Sequence, residues 1–121
     1  MKKKIIKIPL YRGLFIILIS NSIDEINKLF PSFVDDDLYA HASMDYYRDE
    51  EAYIMVLNFN DSRPITNAVI AHEAFHLANF LADRRGIMRD NNDEPLAYLI
   101  EWMVEETHKF IDKCELKLVN L

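Results

Sequence analysis

The residues of this chain whose types and spacing could do chemistry are two histidines four positions apart, with a glutamate directly after the first. They are His72, Glu73 and His76, in the run His-Glu-Ala-Phe-His. On a helix, side chains four apart lie one above the other, so two imidazole nitrogens can converge on one zinc ion. Glu73 is turned about 100° around the axis from His72, which makes it a poor third ligand. It can instead reach a water on the metal and take its proton, as in the HExxH signature.

The segment that carries this motif is predicted to be a helix from Pro64 to Arg85. It is apolar almost all round, which predicts a buried helix. Burying polar side chains there without partners would cost roughly 2–7 kcal/mol for each unsatisfied group. A bound metal would remove that cost by turning the imidazoles into ligands. The alternative is that His72 and His76 are interior histidines that are only hydrogen-bonded.

A catalytic zinc usually has three protein ligands and one open position. A third histidine six residues beyond His76 is not available, because Ala82 occupies that place. We expect Glu94 to be the third ligand, since it begins the last predicted helix, where the helix dipole favours a carboxylate. A simple first-turn carboxylate is the alternative. Tyr98, one turn further on, is a candidate hydrogen-bond donor to a tetrahedral intermediate, with an ordinary packed tyrosine as the alternative.

Hydrophobic patterning places the motif in one α+β domain that spans residues 1–121. Isoleucine-rich segments at 3–10 and 14–20, alternation over 38–46 and an apolar run at 53–59 predict four strands, the last of them covered on both faces. Ser22 begins a short capped helix, Asp61 and Pro64 signal the start of the motif helix, Gly86 its end, and Asp93 caps the last helix. The expected fold is a small mixed sheet of about four strands packed on the motif helix and on a second long, C-terminal helix.

Composition excludes several classes of protein. The net charge of −6, with no basic stripe outside the first seven residues, argues against a nucleic-acid partner. The single cysteine, Cys114, excludes an internal disulfide and argues against a cysteine zinc site. The lysines at the N-terminus imitate a secretory signal, but Lys7, Pro9 and Arg12 interrupt the apolar run that follows them. We therefore expect a cytoplasmic protein without a membrane span.

Two segments of the chain resemble the gluzincin-type zincin peptidases, namely His72 to His76 and the run Asp-Glu-Pro-Leu-Ala-Tyr at 93–98. The spacing of Glu94 and Ala97 is similar to that in ImmA/IrrE-like peptidases, and segments 69–76 and 92–102 resemble metallopeptidases encoded by bacteriophages. The resemblance implies a zinc-dependent peptidase in which His72, His76 and Glu94 hold one zinc ion and Glu73 is the general base and acid. It also implies that strand 38–46 is an edge strand that pairs with an extended peptide substrate. Tyr98 stands where many gluzincins have an acidic residue that supports the metal ligands, which is a departure from their pattern.

A protein of another class fits much of the same sequence. It is a catalytically silent zincin-like binding or regulatory protein, phage-encoded, in which zinc is structural. Glu73 discriminates between the two, because a purely structural zinc site does not need it.

Overall fold

The computed structural model describes residues 1–60, 62–87 and 93–118. Its elements are β1 (Lys2–Lys7), β2 (Leu14–Ile19), α1 (Ile23–Leu29), β3 (Ala40–Tyr47), β4 (Glu50–Leu57), α2 (Asn67–Arg85) and α3 (Glu94–Lys113). This order confirms the predicted α+β class. None of the described helices combines the length and the apolar character that crossing a bilayer requires.

The four strands form one mixed sheet in the order β1-β2-β4-β3. β2 runs parallel to β4, while β1 and β3 pair antiparallel with β2 and β4 at the two edges. Every residue of β2 is buried, because alternate side chains belong to two different cores. Phe15, Ile17 and Ile19 pack in the core that contains α2 and α3, whereas Leu14, Ile16 and Leu18 pack in the core that contains α1. A sheet covered on both faces explains why β2 and β4 are apolar without interruption.

The motif helix begins later than predicted. α2 starts at Asn67, and its N-cap is Thr66, whose hydroxyl accepts a hydrogen bond from the Val69 amide at 3.2 Å. Pro64 lies outside the helix, and the predicted cap Asp61 lies outside the described residues. Ile65, between Pro64 and the cap Thr66, is buried in the core, and the backbone at Thr66 is still extended. The predicted end is confirmed, because Gly86 caps the helix with a left-handed φ of +66°.

The last helix agrees closely with its prediction. Asp93 occupies the N-cap position of α3, although its side chain makes no capping hydrogen bond. Residues 88–92, which precede it, lie outside the described residues. One face of the helix is buried, at Leu96, Leu99, Met103, Phe110 and Ile111. Thr107 is also fully buried, because its hydroxyl donates to the Met103 carbonyl at 2.7 Å and is thereby satisfied within the helix.

Several strand boundaries differ from their predictions by one to three residues. β1 ends at Lys7, since Pro9 and the left-handed Leu10 (φ +66°) begin the turn into β2. β3 begins at Ala40 rather than at residue 38. β4 reaches back to Glu50, because a tight turn at 48 and 49, both with positive φ, brings the two strands together directly.

Glu51, near the start of β4, ties the sheet to the end of α2. Its carboxylate oxygens lie 2.8 Å from Arg84 Nε and 2.6 Å from Arg85 Nη1. The hydrogen bond from Arg85, together with the charges of both arginines, lowers the pKa of Glu51 below its ordinary value. A carboxylate that is held in its charged form in this way stabilises the folded state at neutral pH.

We expect Glu51→Gln to lower the free energy of unfolding at pH 7 by about 1 kcal/mol, because it removes the negative partner of two arginines. Since the pKa of Glu51 is lowered on folding, this stabilisation is present above the pKa of the unfolded chain and is lost as the pH falls through the folded value. Urea unfolding of both proteins as a function of pH should show the difference shrinking in acid. Glu50→Gln, the exposed neighbour, is the matched control. An equal loss from both variants would contradict the prediction.

Gly13 occupies a position that a side chain would strain. Its φ is +111°, and an added Cβ would lie 3.1 Å from the Tyr53 ring and 3.2 Å from the Glu51 carbonyl oxygen. We expect Gly13→Ala to cost roughly 1–3 kcal/mol of stability. Gly86→Ala is the matched control, because its Cβ would meet nothing within 4 Å and only the left-handed φ opposes it. Denaturant midpoints should fall further for Gly13→Ala; the reverse order would show that Gly13 is not sterically required.

Candidate metal centre

The two motif histidines face each other on the outer side of α2. Their Nε2 atoms are 3.1 Å apart, and their ring centroids are 4.7 Å apart. A tetrahedral zinc ion with bonds of 2.0–2.1 Å would hold two nitrogen ligands about 3.3 Å apart. The pair thus has the spacing that one shared ion requires.

Glu73 completes a compact group with these histidines. One ligand atom of each of the three side chains lies within 4.8 Å of the other two. Unlike the histidines, Glu73 is buried, with 6% of its surface exposed. In the part of the chain that the structure describes, its carboxylate makes no hydrogen bond or ion pair. Its oxygens are not sealed in the core, because Glu73 lines a cavity, and a water or a ligand can therefore reach this carboxylate.

The prediction that α2 is buried all round is wrong. Its inward side is formed by Ile70, Glu73, Ala74, Leu77, Ala78, Leu81 and Ala82, and the opposite side is open. His72 is exposed, as are Ala68 and Ala71, whose small apolar side chains cost little in water. The alternative of an interior histidine pair is therefore also wrong. The cost of burial falls on Glu73 alone, and the histidines meet because of their helical spacing.

The group opens into a cavity of about 410 Å³ beside the edge of the sheet. The cavity is lined by Tyr39, Ala40, Ala68, Val69, His72 and Glu73. β3 is an edge strand, which confirms the predicted edge position of segment 38–46. The first residue of this strand thus borders the cavity that contains the buried carboxylate.

Tyr39 is a site residue that the sequence did not single out. Its hydroxyl donates to the Pro64 carbonyl at 2.7 Å, and the Arg63 guanidinium lies 4.0 Å from the centre of its ring. These contacts fasten the start of β3 to the segment that leads into α2. The sequence signal was its place at the beginning of the predicted edge strand, but the strand pattern alone does not indicate a contact 25 residues away.

Glu94 and Tyr98 lie in a different cavity. Glu94 is the first residue of α3 and is exposed, and Tyr98 is 65% exposed. Both line a groove between α3 and the connection from β1 to β2, and Glu94 is not part of the group formed by His72, Glu73 and His76. Residues 88–92, which connect Glu94 to the preceding segment, lie outside the described chain. The roles of Glu94 as third ligand and of Tyr98 as hydrogen-bond donor stay predictions.

The histidine of the edge strand takes no part in this group. His41 belongs to β3, where its Nδ1 lies 3.4 Å from Asp35 and its ring meets Phe33 edge-on at 5.1 Å. Within residues 1–60, 62–87 and 93–118, no second group of three His, Cys, Asp or Glu side chains has the spacing of a metal site. Comparison of the chain with protein-family models, curated proteins and solved structures finds no match.

We expect the purified protein to bind one zinc ion per chain, with a gain in thermal stability when zinc is added. His72→Ala and His76→Ala should each raise the dissociation constant about a hundredfold or more, because each removes a ligand. If Glu94 is the third ligand, Glu94→Gln should raise it at least about tenfold. Metal analysis and calorimetric titration would measure these effects, with His108→Ala as the matched control on α3. Unchanged zinc affinity in both histidine variants would eliminate this site.

Proposed function

We propose that this protein is a zinc-dependent peptidase that hydrolyses peptide bonds with a metal-activated water. The observation that carries the proposal is the position of Glu73: a buried carboxylate without a described partner, grouped with two imidazoles whose Nε2 atoms are 3.1 Å apart. His72 and His76 would hold the ion, and Glu94 remains the predicted third ligand. The resemblance to gluzincin-type peptidases supports the same assignment.

The chemistry divides between the ion and the chain. Zinc, when bound, supplies a Lewis acid that polarises a substrate carbonyl and lowers the pKa of water. Glu73 acts as the general base, taking a proton from the water that attacks the carbonyl carbon. It then acts as the general acid and delivers this proton to the nitrogen of the breaking peptide bond. Its low exposure supports this role, because proton transfer is favoured where a carboxylate is shielded from bulk water.

The edge of the sheet supports a peptide as the substrate. Among the residues that the structure describes, β3 pairs with β4 alone, so its other side can take an extended chain as an added strand. Ala40, at its start, lines the cavity that also contains His72 and Glu73. A peptide laid along β3 would therefore pass the carboxylate. This placement favours a peptide over a small carbonyl compound, which would gain nothing from the strand.

The rival proposal of a silent binding protein is weaker because of the same glutamate. A structural zinc site would be served by the two histidines and further ligands, and it would gain nothing from a buried carboxylate beside them. We also propose that the protein acts in the cytoplasm, because a chain with a single cysteine suits a reducing compartment.

We expect Glu73→Gln to lower the rate of peptide hydrolysis by about 10²- to 10⁴-fold while zinc binding is retained, because the amide cannot accept the proton. Incubation of the zinc-loaded protein with a diverse peptide mixture, analysed by mass spectrometry, would measure the effect. Glu50→Gln is the control for loss of a surface carboxylate and should leave the digest unchanged. If the peptide profiles of the parent protein and Glu73→Gln are the same, the binding protein is the better interpretation.

A further inference from the structure

An apolar groove lies on the side of α3 that carries Tyr98. It has a volume of about 500 Å³ and runs between the first turns of α3 and the connection from β1 to β2. It shares no lining residue with the cavity beside His72 and Glu73. Its size falls within the range of small-ligand pockets, which leaves room for one or two bulky side chains of a partner.

Several of the residues that line this groove present large apolar side chains to solvent. Leu10 is 98% exposed, and its left-handed backbone (φ +66°) is unusual for a residue with a branched side chain. Two hydrogen bonds hold this turn: the Tyr11 amide donates to the Pro9 carbonyl at 2.7 Å, and the Ile8 amide donates to Gly13 at 3.1 Å. The chain thus fixes Leu10 in an exposed and strained position, which packing within the domain does not explain.

Two aromatic side chains of α3, Tyr98 and Trp102, also line the groove. Trp102 is half-buried and lies against Phe15 of the core, with ring centroids 5.7 Å apart. This contact with the core restricts the position of its ring. Tyr98, one turn earlier, is 65% exposed. Rigid aromatic side chains that keep one face open are the residues most often found at the centre of protein interfaces.

The rim of the groove is acidic. Glu94, Glu101 and Glu105 line it along one side of α3, and no lysine or arginine is among the lining residues. Within the described part of the chain, Glu101 and Glu105 are in no ion pair. An apolar groove beside the unpaired carboxylates of Glu101 and Glu105 is complementary to an apolar side chain flanked by positive charges.

We propose that this groove binds a cationic peptide segment of a partner protein, in which a bulky apolar residue is flanked by lysine or arginine. The apolar residue rests on Leu10, Tyr98 and Trp102, and the basic residues pair with Glu101 and Glu105. The groove shares no lining residue with the cavity beside His72 and Glu73. Glu94 and Tyr98, which line the groove, are also predicted residues of the zinc site, so the test below changes neither of them. The chain's net charge of −6 also attracts such a segment from a distance.

The test uses Trp102, which is the single tryptophan of the chain. A short tryptophan-free peptide with central leucine and phenylalanine and flanking arginines should change the emission of Trp102 in a saturable way. The titration is done with chelator present, so that hydrolysis cannot consume the peptide and a failure of the proposed activity does not affect the result. Two peptides serve as controls, one with glutamates for the arginines and one with serines for the apolar pair, and neither should bind.

Paired variants separate the groove from general charge attraction. Glu101→Gln with Glu105→Gln should weaken binding roughly threefold to tenfold at low salt, with a smaller effect at high salt. Asp24→Asn with Asp36→Asn removes the same charge outside the groove and should leave the affinity within about twofold. Leu10→Ser should weaken binding at every salt concentration.

Three results would overturn the proposal. They are the absence of a saturable response to the cationic peptide, equal weakening by the two double variants, and self-association through the groove. Sedimentation of the protein alone would detect the last of these, since a dimer displaced by the peptide would make a second copy of the chain the occupant.

Discussion

The parallel pairing of β2 with β4 is the constraint on which the rest of the structure depends. Parallel neighbours cannot be joined by a tight turn, so the chain must cross over between them, and here it does so through α1 and β3. Both strands are buried on two faces, and helices must therefore cover each face. Because β3 precedes β4 directly and α2 follows it, the edge strand and the motif helix flank the same central strand. The cavity between them is a result of this order.

The rotation of α2 about its own axis then decides which side chains can do chemistry. Ala74, Leu77 and Leu81 fix this rotation, since each is fully buried. Burying a leucine side chain contributes about 1.5–3 kcal/mol. With these residues facing the core, the spacing of the motif places its histidines on the solvent side of the helix. Glu73 then lies at the border between the buried side and the solvent side. The apolar residues of the helix thus determine the position of the polar ones.

Features that depend on local chemistry were predictable from the sequence, and those that depend on distant packing were not. The buried strands, the Ser22 cap and the Gly86 stop follow from short patterns of side chains. The predicted start of α2 was wrong because Pro64 and Thr66 are both residues that commonly precede or begin a helix. The burial of Ile65, which the sequence pattern does not specify, selects Thr66. The place of Glu94 depends on how α3 meets α2, which no local pattern specifies.

The same limit applies to exposure. Ala68 and Ala71 are apolar residues of the motif helix, yet both are exposed to water. The apolar composition of the helix therefore led to a prediction of more complete burial than the structure has. A sequence pattern could specify the spacing of the two imidazoles, because this depends on one helix alone. It could not show that Tyr39 would meet Pro64, a contact that arises only when the sheet and the helix have come together.

The two edges of the sheet are chemically unequal. β1 carries exposed lysines at 2, 3, 4 and 7, and like charges along a strand oppose the approach of another copy. β3 has no lysine or arginine in its eight residues. The lysines therefore oppose the pairing of a further basic strand with β1, whereas no lysine or arginine of β3 opposes pairing with that edge. The protected edge lies at β1, whereas the edge without lysines begins at the cavity that His72 and Glu73 line.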